Sequence, residues 1–154
     1  MQAKLLFSGH GLRTFALVFD KGDSFLNLLQ DFAREQGITG ASFTAIGAFS
    51  SITLGYFDRE KMDYRKIPVN EQVEVLSLLG NIATKGQDAI NAHAHIVVGK
   101  ADGTALGGHI LEARVWPTLE LVLEETPAYL RRHSDEETGL ALIDLGTERS
   151  RTAL

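Results

Sequence analysis

Cysteine is absent from the 154 residues of this chain, which excludes disulfide bonds, thiolate metal sites and catalysis by a cysteine nucleophile. The chain also has no run of about 18 apolar residues, the length that a membrane-spanning helix needs. Its N-terminal segment, with one lysine and a short apolar run, lacks the pattern of a signal peptide. We therefore expect a cytoplasmic protein that is not inserted in a membrane.

Basic residues are also fewer than acidic ones. Lysine and arginine together number 15, against 20 aspartates and glutamates, so the formal net charge is -5. A protein that binds nucleic acid neutralises phosphates with basic side chains, and this composition disfavours DNA as a partner. Only two local groups of basic residues favour it, namely Arg59, Lys61, Arg65 and Lys66, and the pair Arg131 and Arg132.

Apolar residues make up 44% of the sequence, enough for one hydrophobic core in a chain of this length. No linker, repeat or low-complexity segment divides the chain. We predict a single domain over residues 1–154, with its core at about 13–145 and a polar C-terminal tail at 146–154.

The clearest element is an amphipathic helix from Ser24 to about Gln36. Asp23 or Ser24 can cap its first turn, and Gly37 is placed to end it in a left-handed conformation. Its apolar residues recur at helical intervals and form one face. They are Phe25, Leu28, Leu29, Phe32 and Ala33.

The rest of the chain predicts about eight β-strands, joined mostly by hairpins. The first is expected at 13–20, a long one at 71–84 and the last at 139–145, with a break at Pro117 and a helical turn or loop at 127–138. These elements indicate an α+β fold, in which one principal α-helix packs on a mainly antiparallel β-sheet. Several strands carry apolar residues on both faces, and one helix cannot cover both, so we expect a homo-oligomer.

Segments such as VEVLSLLGNI and DGTALGGHILEARVWPTLELVL, within residues 13–145, resemble the plants-and-prokaryotes-conserved (PPC) domain family. The resemblance implies a compact α+β fold and a homotrimer. In plants this domain follows AT-hook motifs that enter the DNA minor groove, but no Arg-Gly-Arg segment occurs here, so that activity is not carried over. The histidines resemble those of the stand-alone prokaryotic type, whose members are often labelled DNA-binding by analogy.

Three of the five histidines fall within seventeen residues, at His93, His95 and His109. Residues i and i+2 of a strand point to the same face, so His93 and His95 are expected side by side. If His109 faces them from the next strand, three neutral imidazoles form a site for a divalent transition metal, for which we expect zinc. His10 and His133 are expected in solvent.

Whether His109 joins the other two depends on the register of the hairpin that holds all three. A tight two-residue turn at Asp102-Gly103 would pair His109 with Ile96 and turn it to the other face. A loop with an odd number of residues, or a bulge at Gly107-Gly108, would instead pair His109 with His95. A metal site therefore predicts an irregular register at the two glycines.

Three histidines leave coordination positions open, which is typical of sites that bind a ligand or carry out a reaction. Glu120 is the candidate fourth ligand, since Glu112 would point to the opposite face in the register that unites the histidines. The sequence shows no nucleophile–base pair, so it does not decide whether the protein is an enzyme. It predicts a trimeric metal-binding protein with a small-molecule ligand. The alternative is a DNA-binding, regulatory or partner-binding protein.

Overall fold

Long antiparallel strands make up most of this computed structural model, which describes residues 1–87, 89–126 and 130–146. The elements are β1 (Gln2–Gly9), β2 (Leu12–Phe19), α1 (Phe25–Glu35), β3 (Gly40–Asp58), β4 (Asp63–Val69), β5 (Val73–Lys85), β6 (Ala89–Gly99), β7 (Ala105–Glu125), β8 (Arg131–Ser134) and β9 (Ala141–Asp144). The predicted α+β class is confirmed, with one helix and a mainly antiparallel sheet in the described residues. No helix among them has the length and apolarity needed to cross a membrane.

The sheet closes on itself through β6, which pairs with β5 on one side and with the first part of β7 on the other. β3 completes the ring because it pairs with both β5 and β7. β1 and β2 extend the sheet beyond the second half of β7, and β4 lies beside β3. All four strands of the ring contribute to the core, with Leu54, Leu78, Ile96 and Ile110 among the buried residues.

Helix α1 buries the apolar face that its periodicity predicts, with Phe25, Leu29, Phe32 and Ala33 in the core. Its C-terminal end matches the prediction, since Gly37 follows the helix with a φ of +65°. Its N-terminal end does not. Ser24 occupies the N-cap position without a side-chain cap hydrogen bond.

The Asp23 carboxylate does not cap the helix either. It accepts a hydrogen bond from the backbone N–H of Asp20 and pairs with the N-terminal amine of Met1. The prediction of a side-chain cap at the start of α1 is therefore wrong, because the nearest carboxylate is engaged with the preceding loop and the chain terminus.

β1 is an edge strand that the sequence pattern does not predict. Its apolar residues Leu5, Leu6 and Phe7 are adjacent rather than alternating, and each is about half exposed. The strand is placed by its backbone ladder to β2. The strand predicted at 13–20 is thus the second of the fold.

β7 runs through Pro117 without the predicted break. Proline has no backbone N–H to donate to a ladder, but here the strand is locally out of register with β3. Val115 pairs with Phe49 and Leu119 with Gly47, so Pro117 faces no paired residue on β3. The proline therefore removes no hydrogen bond from the β3–β7 ladder.

The segment predicted as a helical turn or loop instead contains β8, although residues 127–129 lie outside the described part of the chain. β8 pairs in parallel with the end of β5, where Thr84 faces Arg131 and Lys85 faces Arg132. It also pairs with β9, which confirms the predicted last strand. Of the predicted tail at 146–154, only Gly146 is described.

The β6–β7 hairpin takes the register that pairs His95 with His109. The backbone N–H of Lys100 donates to the carbonyl of Thr104, and that of Gly103 donates to the carbonyl of Lys100, each at 2.9 Å. Gly103 has a φ of +82°. This is a three-residue loop with a glycine in the left-handed region, and its odd length sets the register.

The expected bulge at Gly107-Gly108 is wrong, because both glycines pair regularly with Val97 and Ile96. Gly108 has another role. A Cβ at this position would lie 2.9 Å from the carbonyl oxygen of Gly55, so glycine here lets β3 approach β7 closely.

One face of the sheet carries a group of exposed apolar side chains, which we call the outer apolar face: Val18, Ile46, Leu79 and Val122. Directly opposed residues of antiparallel strands share a face. The pairs Val18–Glu120 and Glu120–Ile46 therefore place Val18 and Ile46 together. Their side chains are 39% and 63% exposed, a large fraction for apolar residues in the middle of a sheet.

Candidate metal centre

Three histidine side chains meet on the outer side of the β6–β7 hairpin. His93 and His95 share a face of β6, and His109 of β7 lies directly opposite His95. The Nε2 atoms of His93 and His95 are 3.2 Å apart. The ring centroids of the three pairs are separated by 4.9 to 5.4 Å. The structure thus has the converging arrangement, one of the two that the sequence left open.

The spacing of the three rings is close to what one metal ion requires. One ligand nitrogen from each ring lies within 4.8 Å of the other two. In a tetrahedral zinc site with Zn–N bonds of about 2.05 Å, two nitrogens lie about 3.3 Å apart. His93 and His95 already have this separation, and bringing His109 onto the same ion needs a shift of no more than about 1.5 Å.

Burial keeps two of these imidazoles uncharged. Desolvation lowers the pKa of His109 to about 4, with repulsion from His93, His95 and Arg132 acting in the same direction. Desolvation also lowers the pKa of His93, again helped by Arg132 and His95. Metals bind the neutral ring, so at pH 7 both side chains are already in the coordinating form.

Tyr64 of β4 covers one side of His109. The two rings stack with centroids 4.9 Å apart and an interplanar angle of 25°. Gly55 makes this contact possible, because a Cβ there would lie 2.8 Å from the Tyr64 ring. Nδ1 of His109 is buried and has no hydrogen-bond partner in the described chain. A buried nitrogen without a partner is costly, and together with the neutral rings of His93 and His109 it fits a bound metal ion.

Arg132 of β8 lies against the histidines and is only 7% exposed. Its Nη2 donates to Oδ1 of Asn81 at 2.5 Å and lies 3.4 Å from Nδ1 of His93. Its Nη1 donates to the carbonyl of Ala141 at 2.7 Å. Burial lowers the pKa of the guanidinium, but an arginine side chain is not deprotonated in proteins, so Arg132 keeps its positive charge.

Sequence reasoning missed both Arg132 and Tyr64 as neighbours of the histidines. Arg132 stands in a charged segment that was expected at the surface, as part of a basic group. It is buried because β8 pairs with β5, more than forty residues earlier in the chain. Tyr64 lies on a short strand with no local feature that points to the histidines. No pattern within either segment carries this information.

Glu120, the candidate fourth ligand, is not brought to the histidines. It lies on the same strand as His109 but eleven residues further on, a path of roughly 36 Å along an extended strand. There it pairs with Val18 and Ile46. Glu112 pairs with Thr53 and lines a different cleft. Within the described chain, no carboxylate joins the three-histidine group.

The two remaining histidines, His10 and His133, are exposed as predicted. They lie outside the group of potential metal ligands. They therefore serve as control positions for substitutions at the site.

A cleft of about 420 Å³ opens beside His93 and His109. Its other polar lining residues are Tyr64, Asn81, Asn91 and Arg132, and its apolar lining comes mainly from Leu140, Leu142 and Ile143. No aspartate or glutamate lines it within the described chain. A small molecule in this cleft would therefore lie beside Arg132 and two of the three histidines.

Comparison with known proteins finds one matching family model and several similar solved structures. The family model of the Plants and Prokaryotes Conserved domain matches residues 6–127. A PPC protein from Pyrococcus horikoshii is similar in structure, with a TM-score of 0.81, 30% identity and coverage of 95% of this chain and 96% of that one. A metal-containing protein from Archaeoglobus fulgidus gives a TM-score of 0.78 and 37% identity over 84% of this chain and 91% of that one.

Other similar proteins carry different descriptions. DNA binding has been suggested for a protein from Ralstonia eutropha JMP134, which has a TM-score of 0.80 and 29% identity over 86% of this chain and 91% of that one. The bifunctional protein GlmU of Synechococcus sp. (strain JA-3-3Ab) is 31% identical over 131 residues, or 83% of this chain. The chain spans about a fifth of the length of that curated relative.

The lowered pKa of His109 predicts that the metal-free protein loses stability as the pH falls from about 6.5 towards about 4. In this range the unfolded chain binds a proton at His109 and the folded chain does not, so acid favours unfolding. His109→Gln should therefore weaken the dependence of Tm on pH in this range, as measured by thermal unfolding after removal of metal with a chelator. His133→Gln is the control and should behave as wild type. Equal slopes for His109→Gln and wild type would contradict the burial of a neutral imidazole.

Proposed function

The chain belongs to the Plants and Prokaryotes Conserved domain family, and from this premise we propose that it binds one divalent transition metal through His93, His95 and His109. The observation that carries the proposal is the convergence of three ring nitrogens within 4.8 Å of one another. Zinc is the expected ion, because tetrahedral sites with imidazole ligands suit it. That a similar protein from Archaeoglobus fulgidus is metal-containing supports the proposal.

The proposed role of the site is to bind a small ligand at the metal. Three protein ligands leave at least one position open, whereas structural zinc sites use four. Tyr64 fixes the plane of the His109 ring, and burial keeps His93 and His109 neutral. The bound ion would supply Lewis acidity to a ligand oxygen. We assign ligand binding to the site and no reaction.

We also propose that three copies assemble through the outer apolar face. The exposure of Val18, Ile46, Leu79 and Val122 supports the proposal that another copy of the chain covers this face. The family resemblance implies that the assembly is a trimer. Leu79 pairs directly with His95. The metal centre therefore borders the face that assembly would cover.

DNA binding is the second candidate function, and it is supported by the suggested activity of similar proteins. The charge distribution opposes it. The four exposed basic residues at the β3–β4 hairpin, Arg59, Lys61, Arg65 and Lys66, alternate with the acidic residues Asp58, Glu60 and Asp63. The second basic group loses Arg132 to the interior. A trimer would also carry three times -5, about -15 in total.

Protein expressed without a histidine tag should contain about one metal ion per chain, as measured by elemental analysis. His93→Ala and His109→Ala should each reduce the bound metal to a small fraction, because two imidazoles cannot hold the ion as tightly as three. His10→Ala and His133→Ala are matched controls that should leave the metal content unchanged. Substoichiometric metal that the first two substitutions do not alter would contradict the proposed site.

Substitution of Ile46 by glutamate should convert the trimer to monomers, because it replaces the most exposed side chain of the outer apolar face by a carboxylate directly opposite Glu120, and covering these two like charges together is costly. The measurement is molar mass by light scattering or sedimentation. Met62→Glu, at an exposed apolar residue outside the outer apolar face, should leave the trimer intact. A wild-type protein that is monomeric at micromolar concentrations would refute the assembly.

Binding to random duplex DNA should be undetectable even at low salt, where electrostatic attraction is strongest. A fluorescence anisotropy titration over a range of salt concentrations measures this. Salt-sensitive binding that is lost in a variant with Arg65 and Lys66 replaced by glutamine would favour the DNA-binding alternative.

A further inference from the structure

We infer that the cleft beside the histidines binds a small organic carboxylate, which Arg132 holds by its charge. The inference rests on the proposed metal site and names the class of ligand that this site takes. It starts from a buried positive charge that has no negative partner in the described part of the chain.

Arg132 is only 7% exposed, yet all of its described partners are neutral. They are the side-chain oxygen of Asn81, the backbone carbonyl of Ala141 and the ring of His93. Its Nε is buried and without a partner among the described residues. A buried charge usually has a counter-charge, because hydrogen bonds to neutral groups replace hydration only in part.

The absence of a counter-charge extends to the whole cleft. None of the described residues that line it is an aspartate or a glutamate. A divalent ion on the histidines would raise the local charge to about +3 with no protein anion to balance it. The occupied site therefore favours an anionic ligand.

The lining of the cleft decides between kinds of anion. A guanidinium matches both carboxylate and phosphate oxygens. Here one wall is apolar, formed by Leu140, Leu142 and Ile143, and the volume is about 420 Å³. Inorganic phosphate would leave this wall without contacts, whereas an organic carboxylate places its hydrocarbon part there. Arg132 Nη2 lies 3.4 Å from Nδ1 of His93, and Nε2 of the same ring lies 3.2 Å from Nε2 of His95, so an anion held by the guanidinium would lie beside the proposed metal ligands.

The test measures the binding of butyrate, its neutral isostere butyramide and inorganic phosphate by calorimetry, with zinc-loaded and chelator-treated protein. Butyrate should bind at least tenfold more tightly than butyramide and more tightly than phosphate. Arg132→Met should weaken butyrate binding by about tenfold to a hundredfold, as expected for loss of a hydrogen bond to a charged group, without loss of zinc. Arg59→Met, at an exposed arginine, is the matched control and should bind butyrate as wild type does.

Arg132 also donates a hydrogen bond to β9, so Arg132→Met could weaken binding by disturbing the fold. A second variant separates this effect from the loss of charge. Arg132→Lys keeps the charge but loses the planar fork of donors, and it should bind butyrate with intermediate affinity. In wild type, butyrate should shift the NMR signals of His93 and His109 and leave those of His10 and His133 in place. This readout locates the ligand without any assay of activity.

The outcomes separate this inference from the proposed metal site. In one outcome the protein holds no zinc, but chelator-treated wild type binds butyrate more tightly than butyramide and Arg132→Met loses this preference. The metal proposal then fails and the carboxylate site stands. If zinc is bound and butyrate binds no better than butyramide, or Arg132→Met binds it as wild type does, the inference is overturned. A preference for phosphate over butyrate would overturn it as well.

Discussion

The register of the β6–β7 hairpin is the constraint on which the candidate site depends. The side-chain period of a strand is two, so a shift of one residue moves every side chain to the opposite face. With the three-residue loop that ends at Gly103, His109 faces His95 on the outer side of the sheet. A two-residue turn would place the imidazole of His109 in the core. One residue in one loop thus decides whether the chain has a three-histidine group.

The second feature of this site is the buried positive charge of Arg132. Most buried ionisable groups have partners of opposite sign, and Arg13 shows the ordinary case here through its ion pair with Glu125. Arg132 is more deeply buried and has only neutral partners among the described residues. Burial lowers the pKa values of His93 and His109 and keeps both rings neutral, and so able to coordinate a metal. Neutral rings also provide no negative charge for the guanidinium beside them. Both properties follow from side chains that are withdrawn from water among neighbours without negative charge.

The ring of strands that carries the histidines also separates two apolar surfaces. The inner surface is covered by α1 and by the ring itself, where Phe25, Leu29 and Leu78 are buried. The outer surface keeps Ile46 and Leu79 more than half exposed. Because Leu79 pairs with His95, the metal centre stands at the edge of this outer surface. Assembly and ligand access therefore involve neighbouring parts of the same face.

Local pattern in the sequence was sufficient for the helix, for its end at Gly37 and for His93 lying beside His95, because each depends on spacing within a few residues. It also indicated a loop-dependent register for His109, but not which loop forms, since Asp102-Gly103 is compatible with both turns. Tertiary structure alone decided that β7 continues through Pro117, that Glu120 lies far along the strand from the histidines, and that Arg132 is buried beside them. Glu120 lies far from His109 because β7 is one continuous strand from Ala105 to Glu125. The continuity of β7 and the burial of Arg132 depend on pairing between strands distant in sequence, and side-chain spacing within one segment carries no record of which distant strand will lie beside it.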